Sequence, residues 1–172
     1  MQAQEQAGHF DRSRKHLADT WERETETTLR VLRAYPADQL DLKPSEKSTT
    51  ARNLAWLFNN EMRLAEQAIA GALDFSVFQA PAPDSLDEII RQYEQNRRTM
   101  LDAIRNASDE QLAGTTKFYV APKTMGDVPN VDFLWFLLHD MIHHRGQFSV
   151  YLRIAGGRLP SIYGPTADEP WN

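Results

Sequence analysis

A chain of 172 residues, 41% hydrophobic and 25% charged, is long enough to bury one sizeable core and has the composition of an ordinary water-soluble globule. A net charge of −5 with no basic stripe excludes the electrostatic footprint of a nucleic-acid binder, and no run of about 18 apolar residues is present to cross a membrane. The absence of cysteine excludes disulfides, thiol nucleophiles and thiolate metal sites; with the polar start Met1-Gln2-Ala3-Gln4-Glu5-Gln6 it predicts a cytoplasmic protein.

From about His9 to Tyr35, the residues Phe10, Leu17, Trp21, Thr28, Leu29, Leu32 and Tyr35 recur at steps of three, four or seven with charges between them. That period predicts a long amphipathic helix, which Pro36 ends. A polar connection from Ala37 to Lys47 follows, and Ser48-Thr49-Thr50 offers N-cap hydroxyls to a second helix over about Ala51 to Ala70. Leu54, Trp56, Leu57, Phe58, Leu64, Ala68 and Ile69 form its apolar face, and Gly71 is placed to cap its C-terminus.

Ala80-Pro81-Ala82-Pro83 reads as a stiff linker. Asp84 or Ser85 then caps a third helix whose first turn carries Asp87 and Glu88, where the helix dipole favours negative charge. Leu86, Ile89, Ile90, Tyr93, Arg97, Met100, Leu101 and Ile104 mark its buried face, ending near Asn106. Between Gly114 and Asn130 the periodicity fails; Lys117-Phe118-Tyr119-Val120 is β-prone and reads as one strand or a lid-like loop. A fourth helix is predicted from Asn130-Val131-Asp132, with Asn130 as N-cap, to Ala155, closed by Gly156-Gly157. The tail from Arg158, with Pro160, Gly164, Pro165 and Pro170, reads as extended coil. The expectation is a single all-α domain over residues 1–172: four main helices bundled through long connections, with an extended C-terminal tail.

The fourth helix carries the chemistry. Phe136-Leu137-Leu138-His139-Asp140-Met141-Ile142-His143-His144-Arg145-Gly146-Gln147 sets three of the five histidines and a carboxylate into an apolar run, where polar groups cost free energy unless paired or bound. Positions four apart stack on one helix face, so His139 with His143 and Asp140 with His144 each have the spacing by which one helix presents two ligands to a divalent metal. Imidazole with carboxylate suits Zn, Ni, Fe or Mn, and a third ligand must come from another helix. The alternative is a polar seam with His139 and His143 in solvent and His144 hydrogen-bonded in the core. Helix phase places Leu137, Met141, His144, Phe148 and Tyr151 on one inward stripe with Asp140 at its edge. His143 shares a less apolar face with Phe136, His139 and Val150.

The segment His143-His144-Arg145-Gly146-Gln147, continuing through Tyr151-Leu152-Arg153 and Gly156 to Pro160, resembles the last helix of the DinB family, the DinB/YfiT-like metalloenzymes. The resemblance also covers the Trp-bearing first helix, the Pro-rich connection and the second helix opened by Thr50. It implies an up-down-down-up four-helix bundle, a homodimer, and a divalent metal held by a second-helix His and an i, i+4 pair on the last helix. His144 then matches the second member of that pair, and Asp140 the first. The second-helix position falls on Leu57, which cannot ligate; Glu61, one turn on, and Asn60 beside it are the replacements within reach. The alternative for Glu61 is a solvated glutamate paired with Arg63 or Arg52.

Arg145 and Gln147 read as holding the helix in place by capping loop carbonyls, and Gly146 as admitting a close neighbour. Ser161-Ile162-Tyr163-Gly164-Pro165 reads as a packed C-terminal arm or a dimer contact, with folding over the site mouth as the alternative. The resemblance implies a metal-dependent enzyme acting on a small molecule: a thiol-dependent S-transferase, an isomerase or a hydrolase using a metal-activated water or thiol. The spare histidines, His139 or His143, are available to shuttle its proton. The departure at Leu57 leaves a second expectation open, a non-catalytic dimer with an empty metal site, acting in small-ligand binding or stress response.

Overall fold

The computed structural model describes residues 2–171, with side chains described from Ser13 onward; Phe10 and His9 therefore lie outside the described side chains. Helix α1 spans Gln2–Arg33, α2 Ala51–Ala70, α3 Leu86–Asn106, and α5 Asn130–Ile154, with a short α4 at Asp109–Ala113. Two strands, β1 (Thr115–Ala121) and β2 (Thr124–Pro129), form an antiparallel hairpin between α4 and α5, and single 3-10 turns occupy Ala37–Gln39 and Phe75–Phe78. The mostly helical architecture is the predicted all-α one. α4 and the second strand were not legible in the periodicity.

The local signals fold as their chemistry dictates. The Thr50 hydroxyl accepts from Asn53 N at 3.2 Å and Ser85 from Glu88 N at 3.2 Å, so each of these helices begins where its N-cap stands. Gly71 closes α2 at φ 69°, a left-handed conformation that costs glycine nothing. Asn130 departs from its expected capping role. It is buried, and its amide donates to the carbonyls of Gln111 at 2.8 Å and Ala68 at 3.3 Å, tying α5 to α4 and to the end of α2. Gly157 is a place where size matters: a Cβ there would lie 2.9 Å from the Ala34 carbonyl oxygen, where the end of α5 meets the end of α1.

Cross-helix contacts fix the directions. Arg33 meets Glu94, Arg97 meets Thr25 and Arg105 meets Glu22, so α1 and α3 run antiparallel. Arg52 meets Asp84, Asn96 donates to Asn59 and Gln111 donates to the Ile69 carbonyl, so α2 and α3 descend together. Tyr151 reaches Thr49, His144 reaches Glu61 and Asn130 reaches Ala68, so α5 returns antiparallel to α2. It lies parallel to α1, where His16 packs against Trp135 and Arg145 reaches Glu24.

One hydrophobic core fills the space between the four long helices. Trp21, Leu32, Phe58, Met62, Ile89, Tyr93, Phe133, Leu138 and Phe148 are all fully buried within it. Tyr93 satisfies its hydroxyl by donating to the Thr25 carbonyl at 2.9 Å. The hairpin is anchored by Phe118, whose ring centroid lies 4.8 Å from Phe133, 5.2 Å from Phe136 and 5.9 Å from Phe75. Its solvent face carries the cross-strand pair Lys117–Asp127 at 2.8 Å.

Candidate metal centre

Glu61 sits in the middle of α2, on the face that also carries Phe58, Met62 and Leu64, and is 1% exposed. Opposite it, α5 presents Asp140 and His144 one turn apart, as their i, i+4 spacing requires. The His144 Nδ1 stands 2.8 Å from Glu61 Oε1 and 3.8 Å from Asp140 Oδ2. One ligand atom from each of the three lies within 4.8 Å of the others; among the described residues this is the one such group. Asp140 is the most open of the three, so the cluster meets solvent on its side.

Burial disfavours the charged carboxylate and pushes Glu61 up to about 7, against the opposing pull of the His144 hydrogen bond. The same hydrogen bond raises His144, because the Glu61 oxygen stabilises the protonated ring against the cost of its own burial. The other Glu61 oxygen, Oε2, is buried and has no hydrogen-bond partner. A buried carboxylate oxygen left so is costly, and native proteins seldom tolerate one without a ligand or ion to satisfy it. Two carboxylates and an imidazole are a donor set for Zn, Mn or Fe, and three protein ligands leave coordination positions open. The residues fit a divalent cation.

The sequence as a whole points the same way. The DinB family model matches residues 3–171. The chain belongs to the DinB family. It is 29% identical over 160 residues to the uncharacterized protein YrdA of Bacillus subtilis, covering 90% of each chain. A crystal structure of a DinB-like protein from Bacillus cereus superposes with a TM-score of 0.73 at 23% identity, covering 87% of this chain and 97% of that one. A second DinB-like protein, YjoA of Bacillus subtilis, gives 0.68 at 20% identity, covering 86% and 96%. At those identities the likeness is one of fold.

The remaining candidates separate cleanly within this DinB fold. His139 and His143 are exposed on the outer face of α5: His139 packs against the Trp135 ring at 6.0 Å, and His143 Nε2 is 2.8 Å from the Gln147 amide. Neither joins the cluster. Asn60 is buried beside Glu61, with its Oδ1 unpartnered, and lines a neighbouring cleft rather than the three-residue group. Leu57 is half-buried and packs into the core margin one turn before Glu61. The solvated alternative for Glu61 is excluded by its burial, and Arg52 is engaged with Asp41 and Asp84 instead.

Arg145 does hold the helix, though through α1 rather than a loop. Its guanidinium donates to the Glu24 carbonyl at 3.0 Å, the Glu24 carboxylate at 2.7 Å, and the Tyr163 hydroxyl at 2.6 Å. Tyr163 thereby draws the tail onto α1, where Arg30 also binds the Ser161 carbonyl; the segment is a packed arm. Gly146 corrects the expectation of a close neighbour: a Cβ there would meet nothing within 4 Å. What sequence reasoning missed is the aromatic surround of the site, from Phe75 and Phe78 in one connection and Phe118 and Tyr119 in another. Paired aromatics inside non-helical stretches were the available signal.

Proposed function

We propose that Glu61, Asp140 and His144 hold a divalent cation and that this chain is a metal-dependent enzyme acting on a small molecule. The observation that carries the reading is the convergence of two carboxylates and an imidazole whose ligand atoms lie within 4.8 Å of one another, with the second Glu61 oxygen, Oε2, buried and partnerless. A bound ion supplies positive charge that lowers the pKa of a coordinated water or thiol and so makes a nucleophile near neutral pH. That chemistry fits hydrolysis, isomerisation or thiol-dependent transfer, with Asp140, His144 and Glu61 as ligands.

The chain's own part is positional and acid–base. Glu61 is fixed by packing on α2 and cannot swing into water, so it defines the inner wall. Glu61 and His144 would hold the ion only in their deprotonated forms, so metal loading would be coupled to proton release. Asp140 stands at the open edge, the most exposed of the three ligands. Pairing of two copies is part of the same proposal, to be read by light scattering.

The test is metal analysis of protein purified without chelator, together with thermal melting in added Zn, Ni or Mn. Binding to the native state alone raises stability by about 2.7 kcal/mol at a hundredfold excess over Kd. The expected result is close to one equivalent of metal and a raised Tm, both lost in Glu61→Gln, Asp140→Ala and His144→Ala. Background metal content that the substitutions leave unchanged, with a flat melting response to all three ions, would overturn it. That same flat response selects the second reading, a non-catalytic DinB protein with an empty site. Its support is the 2.8 Å contact in which Glu61 Oε1 and His144 Nδ1 partner one another directly.

A further inference from the structure

A cavity of about 430 Å³ opens beside the cluster, between α2, α5, the hairpin and the Phe75–Phe78 turn. Glu61 and Asp140 are its only charged lining residues; the rest is Leu, Phe, Met and one Tyr. Large apolar side chains left exposed are ordinary when scattered. Here four of the nine found among the described residues, Phe78, Tyr119, Met125 and Phe136, border this single cavity. Concentration of that kind marks a binding mouth. The volume falls within the range of small-molecule sites, roughly 300–1,000 Å³, and such sites are mostly apolar with a few convergent polar groups at one end.

The lining selects among substrates. A polyhydroxylated or zwitterionic molecule would face Leu57, Leu64 and Phe118 with its hydroxyls and charges unpaired. A flat apolar group meets aromatic side chains instead, since Phe75, Phe78, Phe118 and Phe136 all line the cavity. We infer that this site takes an apolar, ring-sized molecule bearing a single donor group, with the ring against Leu57, Phe118 and Phe136 and the donor group toward Glu61 and Asp140. Leu57 and Phe136 are then specificity-determining residues and not metal ligands. The donor half of this assignment rests on the metal reading above; the ring half does not.

The experiment uses fluorine NMR on the full chain with matched probes. With Mn added, 4-fluorophenylacetate is compared with fluoroacetate, which has the same carboxylate and no ring. Without metal, uncharged 4-fluorobenzyl alcohol is compared with 2-fluoroethanol. The expected result is at least tenfold tighter binding of the ring-bearing member of each pair, with Mn broadening the bound phenylacetate signal. Leu57→Asn and Phe136→Ser should each weaken ring-bearing probes about fivefold or more; both side chains are at least partly exposed, and far-UV circular dichroism confirms that the variants are folded. Should Mn fail to bind while the alcohol still binds and responds to Phe136→Ser, the metal reading falls and the apolar site stands. Equal binding of ring-bearing and ring-free probes in both pairs, or ring binding indifferent to both substitutions, overturns the inference even if Mn binds normally.

Discussion

Two adjacent residues of α5, His144 and Arg145, enter two polar networks, one toward α2 and one toward α1, and the networks differ in one respect. Around Arg145 the account closes: its guanidinium is buried, and Glu24 and Tyr163 meet it from α1 and the arm. Around His144 it stays open: Glu61 is just as buried, yet one of its oxygens has no partner. A saturated buried network specifies structure, whereas an unsatisfied buried carboxylate oxygen calls for a partner, an ordered water or an ion among them. Charge and burial alone would have ranked the two sites as equals.

The largest test of that contrast is Arg145→Ala. Removing one partner of a buried ion pair strands the other charge, and the expected loss is about 3–5 kcal/mol of unfolding free energy in denaturant melts. Any folded fraction should keep its metal response, because no ligand of the cluster is touched.

The open network should instead show in pH dependence. Glu61 rises from 4.5 to about 7 on folding, so its burial costs nothing at acid pH and costs progressively more as pH climbs through that window. His144 is also raised, so the stability it adds when protonated is full below 6.5 and is lost as pH rises through its folded value. Both signs agree. Metal-free protein should lose stability from about pH 4.5 upward to beyond 7, while metal affinity climbs over the same range because ions and protons compete for the same atoms. Glu61→Gln should flatten the metal-free profile; a profile of unchanged slope would show that the Glu61 carboxyl is not its cause.

The smallest effect belongs to Gly146, which touches neither network. It is helical, its φ is not positive, and the space beside it is open, so Gly146→Ala should stabilise the fold by about 0.5–1 kcal/mol. A loss on that substitution would mean that the segment relies on its flexibility.

Much of this was readable in the chain because it depends on short-range chemistry. Thr50, Ser85 and Gly71 fix helix ends within one turn of themselves, and the inward phase of Leu137, Met141 and His144 follows from 3.6-residue periodicity. Asp140 and His144 were visible as a pair for the same reason, and Glu61 as their partner through the family resemblance, which pointed one turn earlier to Leu57. What could not be read depends on groups distant in sequence. Asn130 has the propensity of a cap, but two carbonyls from α2 and α4 claim its amide and turn it inward. The second strand exists because Phe118 seats the hairpin on α5, an interaction that Gly126 and Asp127 do not announce. The missing partner of Glu61 Oε2 is visible only once every neighbour is in place.

The separation of 121 residues between Glu24 and Arg145, and of 139 between Glu24 and Tyr163, bears on how the chain leaves the ribosome. α1 is synthesised first, carrying a carboxylate destined for the interior, yet the cation that neutralises it arrives only with α5. The ion pair that buries Glu24 therefore closes only once nearly the whole chain is present, at the loop-closure cost of a 121-residue separation.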